Sequence, residues 1–404
     1  MTIGVGGSTA EIELAKLTDM TMGIQPISVD EIRLRQGKAC RLMREQHIDA
    51  LYLNAGTNLT YFTGLKWYAS ERLVGAVLTA NGELHYIAPD FEQDSLSDFM
   101  QIEAPFHGWQ EHESPYLLLG DVLAQAGLAA ATLAIDSSSA FFVVDGIAKA
   151  NKNLTLVNAD CITAPCREQK SAAEIALMQR AKDMTLEVHK ATARLLRPGI
   201  STTEVTQFIN EAHKKVGASG SSFCIVLFGL ATSFPHGVKN PQILQGNDWV
   251  LIDTGCLLYG YNSDITRSYA FGQATERQRF AWQCEKDAQL AAFNAAQLGQ
   301  PCESPDLAAR QSLQANGFGP DYHVPGLPHR TGHGCGLDIH ESPYLVRGDT
   351  TPLKAGMVFS NEPMLVLPGE FGVRLEDHFY MTDNGPQWFT QPSYSVDDPF
   401  GYQA

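Results

Sequence analysis

The chain contains 404 residues, of which 44% are hydrophobic and 18% are charged. That apolar fraction is sufficient for a buried core and excludes an intrinsically disordered chain, and the length indicates roughly two or three domains. Lys and Arg number 29 against 45 Asp and Glu, so the formal net charge is −16. Because a surface this acidic repels phosphate backbones and anionic lipids, we expect neither a nucleic acid nor a membrane as a partner.

The lack of recognisable targeting signals and the pattern of cysteines predict a cytoplasmic protein. The chain has no run of the ~20 apolar residues that a membrane span requires. The segment before Lys16 contains no basic residue and no apolar run, so we expect no secretory signal peptide. The eight cysteines are scattered and form no Cys-x-x-Cys pair, which is typical of reduced thiols.

The first part of the chain alternates between helical and strand patterns. Residues 1–25 contain glycine and little pattern, so we expect a loosely held N-terminal arm. Asn81-Gly82 is the two-residue signal of a β-hairpin. The alternation predicts an α/β domain over residues 26–165. Its predicted elements are a helix from Asp30, strands at 50–53, 73–78 and 84–87, a helix at 117–126 and a strand at 132–135.

The second part, residues 166–404, begins with helices and continues with strands that read as antiparallel. Ser171 and Glu174 form a capping box, which predicts a long helix that ends at Arg197-Pro198-Gly199. Helices followed by such strands predict an α+β domain. The remaining predicted elements are helices at about 203–215, 275–297 and 305–315, and strands at 250–254, 263–271, 357–367 and 373–381.

Acidic residues interrupt the apolar strands of this second domain at four places. A single acid in a strand is more commonly exposed or paired with arginine. Burying several ionised carboxylates costs several kcal/mol each unless cations compensate, and two divalent cations would balance four negative charges. A turn between the first two acids would form a hairpin and could bring them together. The acids are Asp253, Asp264, Glu362 and Glu376.

Histidines concentrate in a glycine-rich segment, residues 329–341. The glycines make a helix improbable there, so the segment is not a helical zinc motif. A glycine-flanked imidazole such as His333 can approach a metal without steric cost. His236 adds a further histidine in a turn-like setting. His378 alternates with Glu376 along a predicted strand, but its neighbours give no ground to include it in the site.

These residues together resemble the signature of the pita-bread metallopeptidases, the family of methionine aminopeptidase, aminopeptidase P, prolidase and creatinase. The resemblance covers roughly residues 26–390 and implies a pita-bread catalytic domain preceded by a smaller creatinase-type domain. Residues 58–64 and 235–237 resemble the smaller bacterial and archaeal Xaa-Pro dipeptidases. The matching motifs are Asp253 with Asp264, Gly332-His333-Gly334, Asn361-Glu362-Pro363 and Arg374-Leu375-Glu376-Asp377.

The resemblance implies a role for each residue at a site for two divalent metal ions per chain, Mn²⁺ in the first instance and Zn²⁺ or Co²⁺ as alternatives. Asp253 would bind one ion through both oxygens, and Asp264 with Glu376 would bridge the two. The other roles are His333 and Glu362 as ligands of the second ion, His236 and His340 beside the scissile carbonyl, and His329 and Arg374 as supporting residues.

The function implied by the resemblance is hydrolysis of Xaa-Pro dipeptides in a homodimer. A hydroxide bridging the two metals would attack the carbonyl, and Glu362 would act as general acid and base. His236 and His340 would donate hydrogen bonds to the oxyanion. Three alternatives stay open: an aminopeptidase P acting on longer peptides, a creatinase-like small-molecule amidohydrolase, and a non-catalytic peptide-binding module.

Overall fold

The computed structural model describes residues 2–403 and divides the chain into two compact units. The smaller unit is Ile27–Arg167, and the larger unit combines Met1–Pro26 with Glu168–Ala404. From the sequence we expected the smaller unit to span residues 26–165. Within residues 2–403, no helix is both long and apolar enough to span a membrane.

The N-terminal segment differs from the loose arm that we expected. It contains α1 (Ala10–Lys16) and belongs to the larger unit. Glu13 is fully buried, where it accepts a hydrogen bond from Ser8 at 2.6 Å and pairs with Arg194 at 2.7 Å. A helix of seven residues is too short to show a clear amphipathic pattern, and this explains why residues 10–16 did not suggest a helix.

The smaller unit is the predicted α/β domain, built on a six-stranded sheet. Its helices are α2 (Val29–Glu45), α3 (Thr57–Thr63), α4 (Gln93–Phe99), α5 (Pro115–Gln125), α6 (Phe141–Ala150) and α7 (Asp160–Arg167). Its strands are β1 (Ala50–Asn54), β2 (Gly75–Thr79), β3 (Leu84–Pro89), β4 (Phe106–Trp109), β5 (Thr132–Ile135) and β6 (Thr155–Asn158). The order is β4-β3-β2-β1-β5-β6, with β1, β2 and β3 antiparallel and the outer pairs parallel.

The larger unit combines long helices with antiparallel sheets, as the sequence predicted. Its helices are α8 (Ala172–Leu195), α9 (Thr202–Lys215), α10 (Glu276–Ala295) and α11 (Glu303–Ala315). Its strands are β7 (Phe223–Phe228), β8 (Trp249–Gly255), β9 (Leu257–Leu258), β10 (Tyr261–Asn262), β11 (Ile265–Ala270), β12 (Gly332–Gly334), β13 (Glu341–Leu345), β14 (Val358–Asn361), β15 (Met364–Leu367), β16 (Phe371–Arg374), β17 (Asp377–Thr382) and β18 (Gly385–Trp388).

Local sequence signals explain where these helices begin. The predicted capping box at Ser171 is present, and Ser201 and Thr275 begin α9 and α10 with the same reciprocal hydrogen bonds. The core packs Trp249 of β8 and Trp282 of α10 into one buried cluster. Both indole N–H groups donate to backbone carbonyls at 2.8 and 3.0 Å, so burying them leaves no unpaired donor.

Three antiparallel sheets carry the acidic strands. Their strand orders are β11-β8-β7, β13-β12-β14-β17-β18 and β15-β16. The expected pairing of the first two acidic strands is present, with Asp253 of β8 opposite Thr266 of β11. Each of the two strands predicted at 357–367 and 373–381 is divided into two. Pro363 explains the first break, because proline cannot donate a hydrogen bond to a ladder.

Strand β12 is closely enclosed by its neighbours, and this explains its glycines. A Cβ atom on Gly332 would lie 2.1 Å from the carbonyl oxygen of Ser360, and one on Gly334 would lie 2.4 Å from that of Glu341. We expected these glycines to permit a close metal approach. The structure instead shows that the backbones of β13 and β14 exclude a side chain there.

Replacing Gly334→Ala should therefore lower the free energy of unfolding by about 1–3 kcal/mol, the usual cost of overpacking. Chemical denaturation followed by circular dichroism measures this difference. The control is Gly246→Ala, because a Cβ atom there meets no atom within 4 Å. Equal unfolding midpoints for the two variants would contradict the explanation.

Candidate metal centre

The acidic residues of the larger unit converge from strands that are distant in sequence. Asp253 lies within β8, and Asp264 immediately precedes its partner strand β11. Glu362 follows the end of β14, and Glu376 lies between β16 and β17. Thr266 and Glu376 form an isolated bridge that connects two of these strands. Asp264, Glu362 and Glu376 thus lie at strand ends, where the chain can turn them toward Asp253 and one another.

Distances define a cluster around Glu376. His333 Nε2 lies 3.0 Å from Glu362 Oε1 and 3.9 Å from Asp264 Oδ2. Two groups of three side chains bring their donor atoms within 4.8 Å of one another, and Glu376 belongs to both. Asp253 belongs to neither group. The groups are Asp264, Glu376 and His378, and His333, Glu362 and Glu376.

In two of the carboxylates, one oxygen accepts a hydrogen bond and the other has no hydrogen-bond partner among residues 2–403. Arg374 donates from Nη2 to Asp253 Oδ2 at 2.5 Å, and the Thr266 hydroxyl donates to Glu376 Oε2 at 2.6 Å. Asp253 Oδ1, Asp264 Oδ1 and Glu376 Oε1 are buried without a hydrogen-bond partner among residues 2–403. Buried oxygens of this kind are costly unless a cation meets them, so the donor set fits divalent cations.

Burial and, after it, neighbouring charges determine the pKa values of these acids. Burial, followed by Glu376 and Asp253, raises the pKa of Asp264 well above its usual value. Burial and the neighbouring Glu362 likewise raise the pKa of Glu376. Burial also raises the pKa of Asp253, although Arg374 opposes that effect. Protons are therefore retained by these acids when no cation is present.

Glu362 differs from the other three acids because its carboxylate lies within hydrogen-bond distance of a histidine, His333. Burial acts to raise its pKa, but the hydrogen bond and charge of His333 outweigh burial and lower the pKa to about 2. His333 Nδ1 lies 3.0 Å from the Gly334 carbonyl oxygen, to which it can only donate. With Nδ1 protonated, Nε2 can donate a hydrogen bond to Glu362 only if the ring carries a second proton. In the singly protonated ring, Nε2 instead has a lone pair that could bind a cation.

The structure places the remaining predicted residues around this cluster. Arg374 also donates to Thr266 Oγ1 and to the Pro235 carbonyl, each at 3.1 Å. His236 follows Pro235 in a turn and is exposed. The ring of His340 lies 4.0 Å from that of His333, and partial burial together with His333 lowers the pKa of His340 to about 4.

His329 is half-buried next to the glycine-rich strand. Its Nδ1 lies 2.7 Å from the Arg330 carbonyl oxygen, and its backbone oxygen accepts from Arg310 at 2.5 Å. Burial lowers the pKa of His329, and the charge of Glu362 opposes that shift. His329 therefore lies within electrostatic range of the cluster rather than in the groups of close donors.

Four residues at the centre were not included in the predicted site, although the alternation of His378 with Glu376 was noted. Thr266, Ser360 and His378 each stand two residues from a predicted acid, so strand alternation could have placed them on the same face. The Ser360 hydroxyl donates to Glu362 Oε1 at 3.2 Å and accepts from the His333 backbone N–H. Lys182 is fully buried in α8, and burial lowers its pKa, but no local sequence signal marks it.

The pKa directions predict how the metal-free protein responds to pH. Because the folded pKa of Asp264 is raised, the folded state retains protons that the unfolded chain releases above about pH 4. In the presence of a chelator, the free energy of unfolding should therefore fall as the pH rises from about 4 through the raised pKa of Asp264. Adding a divalent cation should restore the lost stability. Asp264→Asn should raise the chelated protein's melting temperature at neutral pH by roughly 2–6 °C.

Differential scanning calorimetry at several pH values measures these melting temperatures. Asp377→Asn is a matched control of opposite sign, because Asp377 is buried but paired with Arg267 at 2.7 Å. Asp377→Asn should lower the melting temperature, because the buried guanidinium group of Arg267 would lose its carboxylate partner. A melting temperature for Asp264→Asn at or below that of the original protein would contradict the reasoning.

Comparison with known proteins agrees with this architecture. Residues 176–383 match metallopeptidase family M24, and residues 35–169 match the creatinase/prolidase N-terminal domain. The probable dipeptidase PepE of Mycobacterium tuberculosis is 32% identical over 367 residues, which cover 90% of this chain and 96% of that protein. The Xaa-Pro dipeptidase of Pyrococcus furiosus is 28% identical, and the alignment covers 88% of this chain and 97% of that protein.

A solved structure shows the same fold. The crystal structure of dipeptidase PepE from Mycobacterium ulcerans matches with a TM-score of 0.84 and 31% identity, over 91% of this chain and 97% of that chain. The predicted two-domain pita-bread architecture and the peptidase class are thereby confirmed. The chain belongs to metallopeptidase family M24 and carries the creatinase/prolidase N-terminal domain.

Proposed function

We propose that the chain hydrolyses Xaa-Pro dipeptides with two divalent cations. The ligands would be Asp253, Asp264, His333, Glu362 and Glu376. The observation that carries this proposal is the set of buried carboxylate oxygens near the His333–Glu362 pair, for which residues 2–403 provide no hydrogen-bond partner. The similarity to an Xaa-Pro dipeptidase over most of both chains favours the dipeptide substrate.

The chain's own side chains supply a base at the reacting centre. Two bound divalent cations would lower the pKa of a water molecule toward neutrality and polarise the substrate carbonyl. Glu362 is the one acid of the four whose pKa lies below its usual value in the metal-free protein, and as an ionised carboxylate it can accept a proton. It can later return that proton to the leaving nitrogen. The Ser360 hydroxyl at 3.2 Å restrains the carboxylate in the required orientation.

Hydrogen-bond donors beside the carboxylates would stabilise negative charge on the substrate. His340 is exposed and close to His333, and with a pKa of about 4 it is neutral at pH 7 and offers one N–H. His236 is exposed in the turn after Pro235. Such donors act most strongly when they are already oriented toward the developing oxyanion. Arg374 contributes by holding both Asp253 and the Pro235 carbonyl.

The substrate class follows from the chemistry of the proline bond. An Xaa-Pro bond is a tertiary amide without an N–H, so proteases that bind this N–H fail on it. A centre that acts on the carbonyl through cations and nearby donors does not need that N–H. The rival substrates are longer Xaa-Pro peptides and small cyclic or guanidino amides.

The decisive experiment measures proline release from Leu-Pro after chelation and after addition of Mn²⁺ or Zn²⁺. We expect cation-dependent release from Leu-Pro, and little cleavage of a Leu-Pro-Gly tripeptide or of Leu-Ala as the control without proline. Comparable cleavage of the tripeptide would indicate an aminopeptidase P. If cations bind and no peptide is cleaved, the prolyl specificity is wrong; if no cation binds, the ligand assignment is wrong.

Glu362→Gln should reduce kcat on Leu-Pro by about 10²–10⁴-fold, because the amide keeps the shape but accepts no proton. Cation content must be measured alongside, since Glu362 is also a proposed ligand. Glu370→Gln is the control, because Glu370 pairs with Arg277 at an exposed site. A Glu362→Gln variant with both cations and an unchanged kcat would exclude the proposed role.

A further inference from the structure

His378 occupies an unusual position for a core histidine. It is the second residue of β17, opposite Ser360 of β14, and its side chain is fully buried. Glu376 lies two residues earlier, immediately before β17 begins. Its Nε2 lies 3.5 Å from Glu376 Oε1, and its ring centroid lies 6.2 Å from that of His333.

Neither ring nitrogen of His378 has a hydrogen-bond partner among the described residues. Leaving a buried polar atom unpaired costs about 1–3 kcal/mol, so such an atom needs an explanation. Another buried histidine of the same unit shows the ordinary arrangement. His213 contacts Thr185 at 3.1 Å and Ser221 at 2.9 Å, so both of its ring nitrogens are satisfied.

The unpaired imidazole faces unpaired carboxylate oxygens. Asp264 Oδ1 and Glu376 Oε1 are also buried without a hydrogen-bond partner among residues 2–403. Donor atoms of these two acids and of His378 lie within 4.8 Å of one another. Lys182 is the neighbouring basic side chain, but it donates to the Asn262 carbonyl at 3.1 Å. One donor atom from each of these three side chains therefore lies in a region that a single cation could satisfy.

We propose that His378 is a nitrogen ligand of the cation bound by Asp264 and Glu376, in addition to the five ligands named above. This inference rests on the proposed function, because it requires a cation at that position. Each of the two cations would then have one imidazole, His333 on one side and His378 on the other. Imidazole favours Zn²⁺ and Co²⁺ over Mn²⁺ relative to a position made only of carboxylates.

Cation binding to the full-length protein after chelation tests the ligand. We expect His378→Gln to weaken Zn²⁺ binding at one of two positions by about tenfold or more, and Mn²⁺ binding by a smaller factor. Glutamine can still donate an N–H toward Glu376 but is a poor zinc ligand, so a mere hydrogen-bonding role would leave both affinities unchanged. His213→Gln is the matched control for loss of a buried histidine, and it should leave the ratio of Zn²⁺ to Mn²⁺ affinity unchanged.

The wild-type protein alone decides the question if the variants fail to fold. Anomalous diffraction from Zn²⁺-loaded crystals should place a zinc ion about 2.0–2.1 Å from His378 Nε2, the usual Zn–N distance. Two zinc ions with neither one within bonding distance of His378 would overturn this inference and leave the proposed function intact. Absence of any bound cation would overturn the proposed function itself.

Discussion

Three carboxylates are buried in the larger unit and a fourth, that of Glu362, is partly buried beside them. Too little positive charge lies near them to neutralise all four, and the surrounding structure is organised around that imbalance. Arg374 pairs with Asp253, whereas Lys182 donates to a backbone carbonyl instead of a carboxylate. Buried like charges raise one another's pKa, so the metal-free centre holds protons at a pH where exposed acids release them. Divalent cations are the compensation that matches both the charge and the open oxygens of this group.

The antiparallel sheets provide the geometry for this convergence through the points where their strands end. Asn361-Glu362-Pro363 ends β14, and proline prevents the ladder from continuing into β15. Leu375-Glu376 separates β16 from β17 in a comparable way. A continuous strand would alternate its side chains strictly between two faces. The interruptions release Glu362 and Glu376 from that alternation, so side chains from different sheets can meet.

Residue type and spacing were enough to predict the fold class, most helices and the acids that the structure brings together. Capping signals such as Ser171 are local, so sequence alone reveals them. The partners of the acids are not local: Thr266 contacts Glu376 across 110 residues. His378 shows the same limit, because its sequence neighbours indicate a strand while its unpaired nitrogens become evident only in three dimensions. Strand alternation gives the face of a side chain but not what covers that face.

The features that lower the stability of the metal-free protein also orient the side chains of the centre. Thr266 and Arg374 each hold one oxygen of a carboxylate, so the acids lose little further side-chain freedom when a cation binds. The hydrogen bond from His333 Nδ1 to Gly334 fixes which nitrogen is available as a donor to a cation. Because a cation binds the folded chain far better than the unfolded one, its binding free energy adds to stability. With the proposed cations bound, the centre would be rigid and oriented although the metal-free state is less stable, and such preorganisation contributes strongly to catalysis in polar active sites.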